Sequence, residues 1–323
     1  MILKGIHHVS AITANAKNNY DFYTNTLGMR LVKKTVNQDD PSMYHLFYAD
    51  EQGRPGTDFT FFEIVRAGNT YQGNNSISFT SLRVTSDHAL KYWEKRLDEY
   101  EVVHHGITET FHRKVLPFQD HEGQRIMLVS DQSNEGVAAG LPWSESPVPQ
   151  EYGITGLGPV RLTVPELAPT ERILVDVLGF RSIGSYPANQ QGQPDIQVYQ
   201  TGEGGTGAEV HIEERDDLAK ERPGRGSVHH VAFRVADTEE LAKWRDKINK
   251  ERLANSGLVD RYYFQSLYFR EPNGILFELA TDGPGFITDE DADHLGEKVA
   301  LPPFLENRRE EIELNLVPLQ TDK

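Results

Sequence analysis

The chain is 323 residues long, 37% hydrophobic and 25% charged, which suits a globular protein of about two domains or one assembled from repeats. Its 33 basic and 49 acidic side chains give a net charge of −16, a surface that repels nucleic-acid phosphates and anionic lipid. Cysteine is absent, so disulfides, iron–sulfur clusters, thiolate zinc sites and a cysteine nucleophile are excluded together. Any metal has to be held by nitrogen and oxygen donors. Met1-Ile2-Leu3-Lys4-Gly5 lacks the basic-then-apolar grammar of a signal peptide, and no stretch approaches 18 consecutive apolar residues. A cytoplasmic protein with no nucleic-acid or membrane partner is expected.

From the N-terminus, Ile6-His7-His8-Val9-Ser10 reads as a strand. A helical stretch through Phe22-Tyr23 then runs to Leu27-Gly28, where glycine supplies a left-handed C-cap. Val84-Thr85-Ser86-Asp87 leads into a helix over 88–100 with Asp87 at its N-cap. The turn Asp120-His121-Glu122-Gly123 precedes a strand over 126–129. The first pattern returns 151 residues on, as Val175…Leu178-Gly179-Phe180. The second returns as Val235-Ala236-Asp237 before a helix over 238–253, and as Glu271-Pro272-Asn273-Gly274 before a strand over 275–279.

The chain therefore reads as α+β, in four βαβββ modules at 5–66, 77–131, 153–214 and 226–282. Each is too small to bury its sheet alone. In sequence they make two domains, 5–131 and 152–282, joined by a proline-bearing linker at 136–151. The tail 283–323 carries an acidic amphipathic stretch over 304–316, read as a helix lying against the body.

Histidines and carboxylates are spread unevenly over the modules. Module one opens with His7-His8 and module four with His229-His230, whereas modules two and three open without histidine. Glu278 follows Gly274 by four residues in Leu276-Phe277-Glu278-Leu279, and Phe61-Phe62-Glu63-Ile64 sets an acid in a similar apolar frame. The matching positions in modules two and three are Met127 and His211. Strand alternation puts Val231, Phe233 and Val235 on a helix-facing side with His229, and His230 on the other side with Ala232. His8 and His230 are thus the candidate metal ligands, with His7 and His229 behind them. An unpaired buried carboxylate is costly, so Glu278 in its apolar strand asks for a partner. His211 has no partner ligand and reads as structural.

These residues resemble the vicinal oxygen chelate superfamily, which includes glyoxalase I, extradiol catechol dioxygenases, and fosfomycin and bleomycin resistance proteins. The likeness runs from Gly5 through Gly285-Phe286…Asp289-Glu290-Asp291 to Leu301-Pro302-Pro303. It is strongest to four-module bacterial proteins described as ring-cleaving dioxygenases of quinone and hydroquinone stress. The resemblance implies that modules pair into cups. Pairing one with four and two with three collects His8, His230 and Glu278 in one cup, with Glu63 as a fourth ligand or just behind the metal. The other pairing would split the set.

Two histidines and one carboxylate with open positions form the donor set of non-haem Fe(II) oxygenases. Fe(2+) is the metal expected, with Zn, Ni or Co as alternatives, and a small aromatic and O2 are the expected partners. Tyr268 lies ten residues before Glu278, the spacing at which extradiol enzymes carry a substrate-bonding tyrosine, and is the catalytic candidate. Val259-Asp260-Arg261, where those enzymes have an acid–base histidine, has none. The function implied is ring cleavage of catechol- or hydroquinone-type aromatics in detoxification. A glyoxalase-like lyase or isomerase on a thiol adduct, and a non-catalytic protein that sequesters aromatics, are the alternatives. A homodimer is left open.

Overall fold

A computed structural model describes residues 1–321; Asp322 and Lys323, the end of the expected tail, lie outside the described residues. Module one comprises β1 (Ile6–Thr13), α1 (Ala16–Asp21), β2 (Arg30–Val36), β3 (Tyr44–Ala49) and β4 (Asp58–Glu63). Module two comprises β5 (Ser76–Val84), α2 (Asp87–Glu99), β6 (Thr108–Thr110), β7 (Arg113–Gln119) and β8 (Arg125–Ser130). Module three has β9 (Ile154–Val164), α3 (Leu167–Arg172), β10 (Arg181–Tyr186), β11 (Ile196–Gln200) and β12 (Glu209–Glu214). Module four has β13 (Val228–Val235), α4 (Thr238–Lys250), β14 (Asn255–Asp260), β15 (Gln265–Arg270) and β16 (Leu276–Thr281).

The strands form two eight-stranded sheets, and the pairing is the one expected. One sheet runs β14-β15-β16-β13-β1-β4-β3-β2, joining modules four and one; the other runs β10-β11-β12-β9-β5-β8-β7-β6, joining three and two. Each sheet draws one module from either half of the sequence. The seams are antiparallel, Val9 opposite Val231 in the first and Thr80 opposite Val160 in the second. Within every module the first and last strands are parallel, so their side chains share one level of the cup.

Alternation then sorts the side chains. Val9, Phe59, Phe61, Val231, Phe277 and Leu279 belong to one buried cluster with the helix residues Trp93 and Trp244. The helices bury Leu90, Trp93 and Leu97 in α2, and Leu241, Trp244 and Ile248 in α4, the spacing of a one-sided apolar stripe. Asp237 caps α4 through the Glu240 N–H, as its position suggests. In α2 the cap is Ser86, which accepts from the Ala89 N–H, and Asp87 sits one residue inside. A hydroxyl in the extended residue before the first turn reaches that amide; a side chain already in the helix does not. α1 and α3 each close in a π-helical turn before Gly28 and Gly179, at φ +67° and +78°. A Cβ on Gly28 would meet Ser146 Oγ at 2.3 Å, so the linker fixes that residue as much as the φ does.

The tail does more than lie on the outside. Its helix, α5 (Arg309–Asn315), is shorter than the amphipathic pattern suggests, preceded by a turn at Glu306–Arg308. Upstream, Phe286 and Leu295 pack with Val32, Phe47 and Phe264 inside the β1/β13 cup. Fully buried Lys33 ties them down, bonding Asp289 at 2.7 Å, the Phe286 carbonyl at 3.1 Å, and Glu290. The tail thus fills one end of the cup and leaves the other open. Among the described residues no helix is long and apolar enough to cross a membrane.

Because β1 and β5 find their antiparallel neighbours in the other half of the sequence, residues 1–135 alone should yield no folded monomer. Light scattering and circular dichroism check this. A monomeric fragment with a native-like spectrum would show that half to fold independently.

Candidate metal centre

Strands β1, β13 and β16 present His8, His230 and Glu278 to the open half of the cup, and all three side chains are buried. His8 Nε2 lies 3.0 Å and His230 Nε2 2.9 Å from Glu278 Oε2, and the two Nε2 atoms are 3.1 Å apart. Three donors each about 2.1 Å from a common ion and mutually perpendicular stand about 3.0 Å apart, whereas tetrahedral angles would spread them to about 3.4 Å. The triangle has the dimensions of one face of an octahedron. Oε2 itself is buried and receives no well-directed hydrogen bond, despite its nearness to both imidazoles. Its partner oxygen, Oε1, accepts from Ser266 Oγ at 2.5 Å, which turns Oε2 towards the histidines. The arrangement fits a divalent cation.

A second row of groups sets the tautomers. His8 Nδ1 is 2.9 Å from His7 Nδ1, and His230 Nδ1 is 2.8 Å from His229 Nδ1. If both Nε2 atoms offer lone pairs inward, each Nδ1–H donates to its neighbour's Nδ1. His7 must then carry its proton on Nε2, where it donates to the Thr281 carbonyl at 3.1 Å. Burial drives the His7 pKa down to about 3, so it acts as a neutral relay. Burial also lowers His230, against the pull of Glu278. For Glu278, burial alone would raise the carboxyl; where no cation sits between them, proton-bearing imidazoles hold it well below the ordinary carboxylate range.

Glu63 is not part of this cluster. Its Oε1 accepts from the Ala16 N–H at 2.7 Å, at the N-terminus of α1. The reason is parity. Phe59 and Phe61 face the helices, so Glu63 does too, while Asp58, Thr60 and Phe62 take the other side of the strand. Register gives the true counterpart: Val9 pairs with Phe59 as Val231 pairs with Phe277, so Thr60 stands where module four has Glu278. The apolar frame around Glu63 was a likeness three residues out of step. His229 also departs from expectation. It does not join the helix-side core but lies at the rim of the pocket, its ring 5.8 Å from that of Phe62.

The open half of the cup is a cavity of about 390 Å³, within the range of small-molecule sites. Phe47, Phe62, Phe264, Met43 and Leu276 give it apolar walls. Tyr268 lines it, with its ring 5.8 Å from that of His230. Arg261, in the stretch without a histidine, donates from Nε to the Tyr268 hydroxyl at 3.2 Å. Its two terminal nitrogens clamp Asp39 of the β2–β3 loop at 3.1 and 2.9 Å. Burial pushes the Tyr268 pKa up, and nearby Glu278 adds to this, so the phenol stays protonated.

Sequence reasoning passed over Arg261, Thr60 and His45. The signal for the last two was available: in β3, Tyr44, Leu46 and Tyr48 join the helix-side core while Phe47 and Ala49 join the cup cluster, so alternation alone sends His45 to the cup.

The second cup shows what the positions become without ligands. Phe79, Pro159, Met127 and His211 occupy the four places of His8, His230, Thr60 and Glu278, around a space of about 20 Å³. Arg113 binds Glu209 through two bonds of 2.8 Å, and His211 is held by Glu209 at 3.3 Å and the Tyr186 hydroxyl at 3.0 Å. Arg113, Glu209, His211 and Tyr186 thus find their partners in one another.

A duplicated βαβββ cup with a facial His-His-Glu cluster defines a glyoxalase-type fold, and the chain belongs to the glyoxalase/bleomycin resistance protein/dioxygenase superfamily, whose model matches residues 5–128 and 156–279. It is 55% identical, over 99% of its length and 100% of the relative's, to a Bacillus subtilis protein named "Putative ring-cleaving dioxygenase MhqA". It is 31% identical to the chlorohydroquinone/hydroquinone 1,2-dioxygenase of Sphingobium indicum, over 96% of this chain and 95% of that one. A solved Bacillus subtilis structure described as a "putative dioxygenase" superposes with a TM-score of 0.89 at 34% identity, covering 100% of this chain and 99% of its own. Maize glyoxalase I shares the fold alone, with a TM-score of 0.62 at 13% identity, covering 86% and 92%.

Glu278→Ala should therefore weaken divalent-metal binding the most, and His7→Phe should weaken it by roughly 10–100-fold through the lost relay. Glu63→Gln should leave affinity unchanged and cost at most about 1 kcal/mol of stability as a weakened helix cap. Chelator-competition titrations measure all three. A metal loss in Glu63→Gln equal to that in Glu278→Ala would contradict the geometry.

Proposed function

We propose that the chain is a metal-dependent dioxygenase that opens the ring of small catechol- or hydroquinone-type aromatics with O2. The observation that carries this is the facial triangle of His8, His230 and Glu278 at the floor of an aromatic-walled cavity. The names of the relatives at 55% and 31% identity point the same way. Fe(II) is the metal this donor set suits; bound there, it supplies the one-electron chemistry by which an electron-rich ring and O2 can react.

The protein's own contribution is placement. Glu278 and two neutral imidazoles bring a single negative charge, so a divalent ion held by them would keep a net positive charge that suits a phenolate. Phe47, Phe62 and Phe264 exclude water and hold the ring flat. Tyr268, kept protonated by burial and Glu278 and oriented by Arg261, donates a hydrogen bond to an oxygen at the reacting carbon. In the overall reaction both oxygen atoms of O2 enter the product as the bond beside the hydroxyl-bearing carbon breaks.

The glyoxalase-like alternative asks for a second carboxylate opposite the first, and Thr60 stands in that place. Protein loaded with ferrous iron without air should consume one O2 per diphenol, fade on aerial oxidation and recover with reductant. Tyr268→Phe should lower kcat/KM by roughly 10-fold, the scale of one lost hydrogen bond. An iron-replete protein that takes up no O2 with any catechol or hydroquinone would end this reading.

A further inference from the structure

The pocket holds an imidazole that the metal centre does not use. His45 lies on β3, its ring sandwiched between Phe47 and Phe62 with centroids 4.0 and 4.1 Å away. Its Nε2 is 2.9 Å from Thr60 Oγ1, and Thr60 Oγ1 is 2.7 Å from Ser10 Oγ. No protein group bonds its Nδ1 among the described residues, and the ring lines the cavity. Register makes His45 and Thr60 the twins of Ser266 and Glu278, since His45 faces Phe62 as Ser266 faces Ala280. One half of the cup offers a hydroxyl holding a carboxylate; the other offers an imidazole held by a hydroxyl.

We propose that His45 is the base that takes the proton from the ring hydroxyl of the bound diphenol, an inference that rests on the dioxygenase reading above. In that step the aromatic O–H bond breaks, the proton passes to Nδ1 of His45, and the electron pair stays on the phenolate oxygen. Nδ1 accepts only if Nε2 carries the hydrogen. Nε2–H then donates to Thr60, and the Thr60 hydroxyl donates to Ser10, so the buried hydroxyl pair accommodates the tautomer the step needs. Around His45 stand His8, His230 and Glu278 from the metal side and Arg261 from the β14–β15 turn; burial foremost, with the histidines and Arg261, keeps the free imidazole neutral, while Glu278 and the phenolate formed beside Nδ1 favour the protonated ring.

The test compares wild type, His45→Gln and His45→Asn, each loaded with ferrous iron, against hydroquinones bearing zero, one or two chlorines. The expected result is a 10²–10⁴-fold fall in kcat/KM for unsubstituted hydroquinone, the usual worth of a general base. Iron content and thermal midpoint should be unchanged, and the fall should shrink as chlorine makes the hydroxyl more acidic. A loss of activity equal for every substrate would mean a packing role, and unchanged kinetics would remove His45 from the reaction; either overturns the proposal. If the wild type itself takes up no O2, the dioxygenase reading fails instead, and the two failures are told apart.

Discussion

A carboxylate with no exposed surface, set in a strand between two apolar residues, governs this structure. An isolated ion at that depth costs several kcal/mol, and Glu278 stays ionised only because its surroundings were built for it. Ser266 holds one oxygen, two imidazoles converge on the other, and each imidazole is steadied from behind by a neighbouring histidine. Without a cation, three lone-pair donors crowded within 3.1 Å of one another would be a liability. With one, they become a coordination face, and the same burial that made the charge expensive makes the binding strong and dry.

The pseudo-symmetry of the cup explains where the asymmetry of the chemistry comes from. Corresponding strands hold corresponding levels, so a residue exchange at one level changes function without moving backbone. At the level of Glu278, module one carries a threonine, module two a methionine and module three a histidine. One cup is therefore a pocket, while its twin is filled by an Arg–Glu–His–Tyr network and serves as a brace. The tail completes the division of labour, since Phe286 and Leu295 occupy the far end of the working cup and confine its volume beside the cluster.

Much of this was legible in the residues. The repeat at 151, the paired His-His openings and the acid in Leu276-Phe277-Glu278-Leu279 suffice for four modules and, with the pairing into cups that the family resemblance implies, for the three converging side chains. What misled was a local frame: Phe61-Phe62-Glu63 imitates Leu276-Phe277-Glu278, but strand parity, not neighbouring composition, decides which face a carboxylate takes. His45 and Arg261 were hidden for different reasons. His45 follows from alternation along β3 once that strand's inner face is known. The Arg261 guanidinium gains its place from Tyr268 and from Asp39, the latter 222 residues away, and no periodicity records such a contact.

The seam between β1 and β13 also sets the order of events in making the protein. His8 and His230 are 222 residues apart, and closing so long a loop costs roughly 3 kcal/mol more than closing a hairpin turn of about five residues. A chain emerging from the ribosome shows β1 long before its antiparallel neighbour exists, leaving a strand edge and an apolar face uncovered through most of synthesis. A half-made chain can carry His7 and His8, but it has no triad. Metal capture at this cluster would thereby be tied to the completed polypeptide, and an ion would find its place only once the walls that restrain it were already standing.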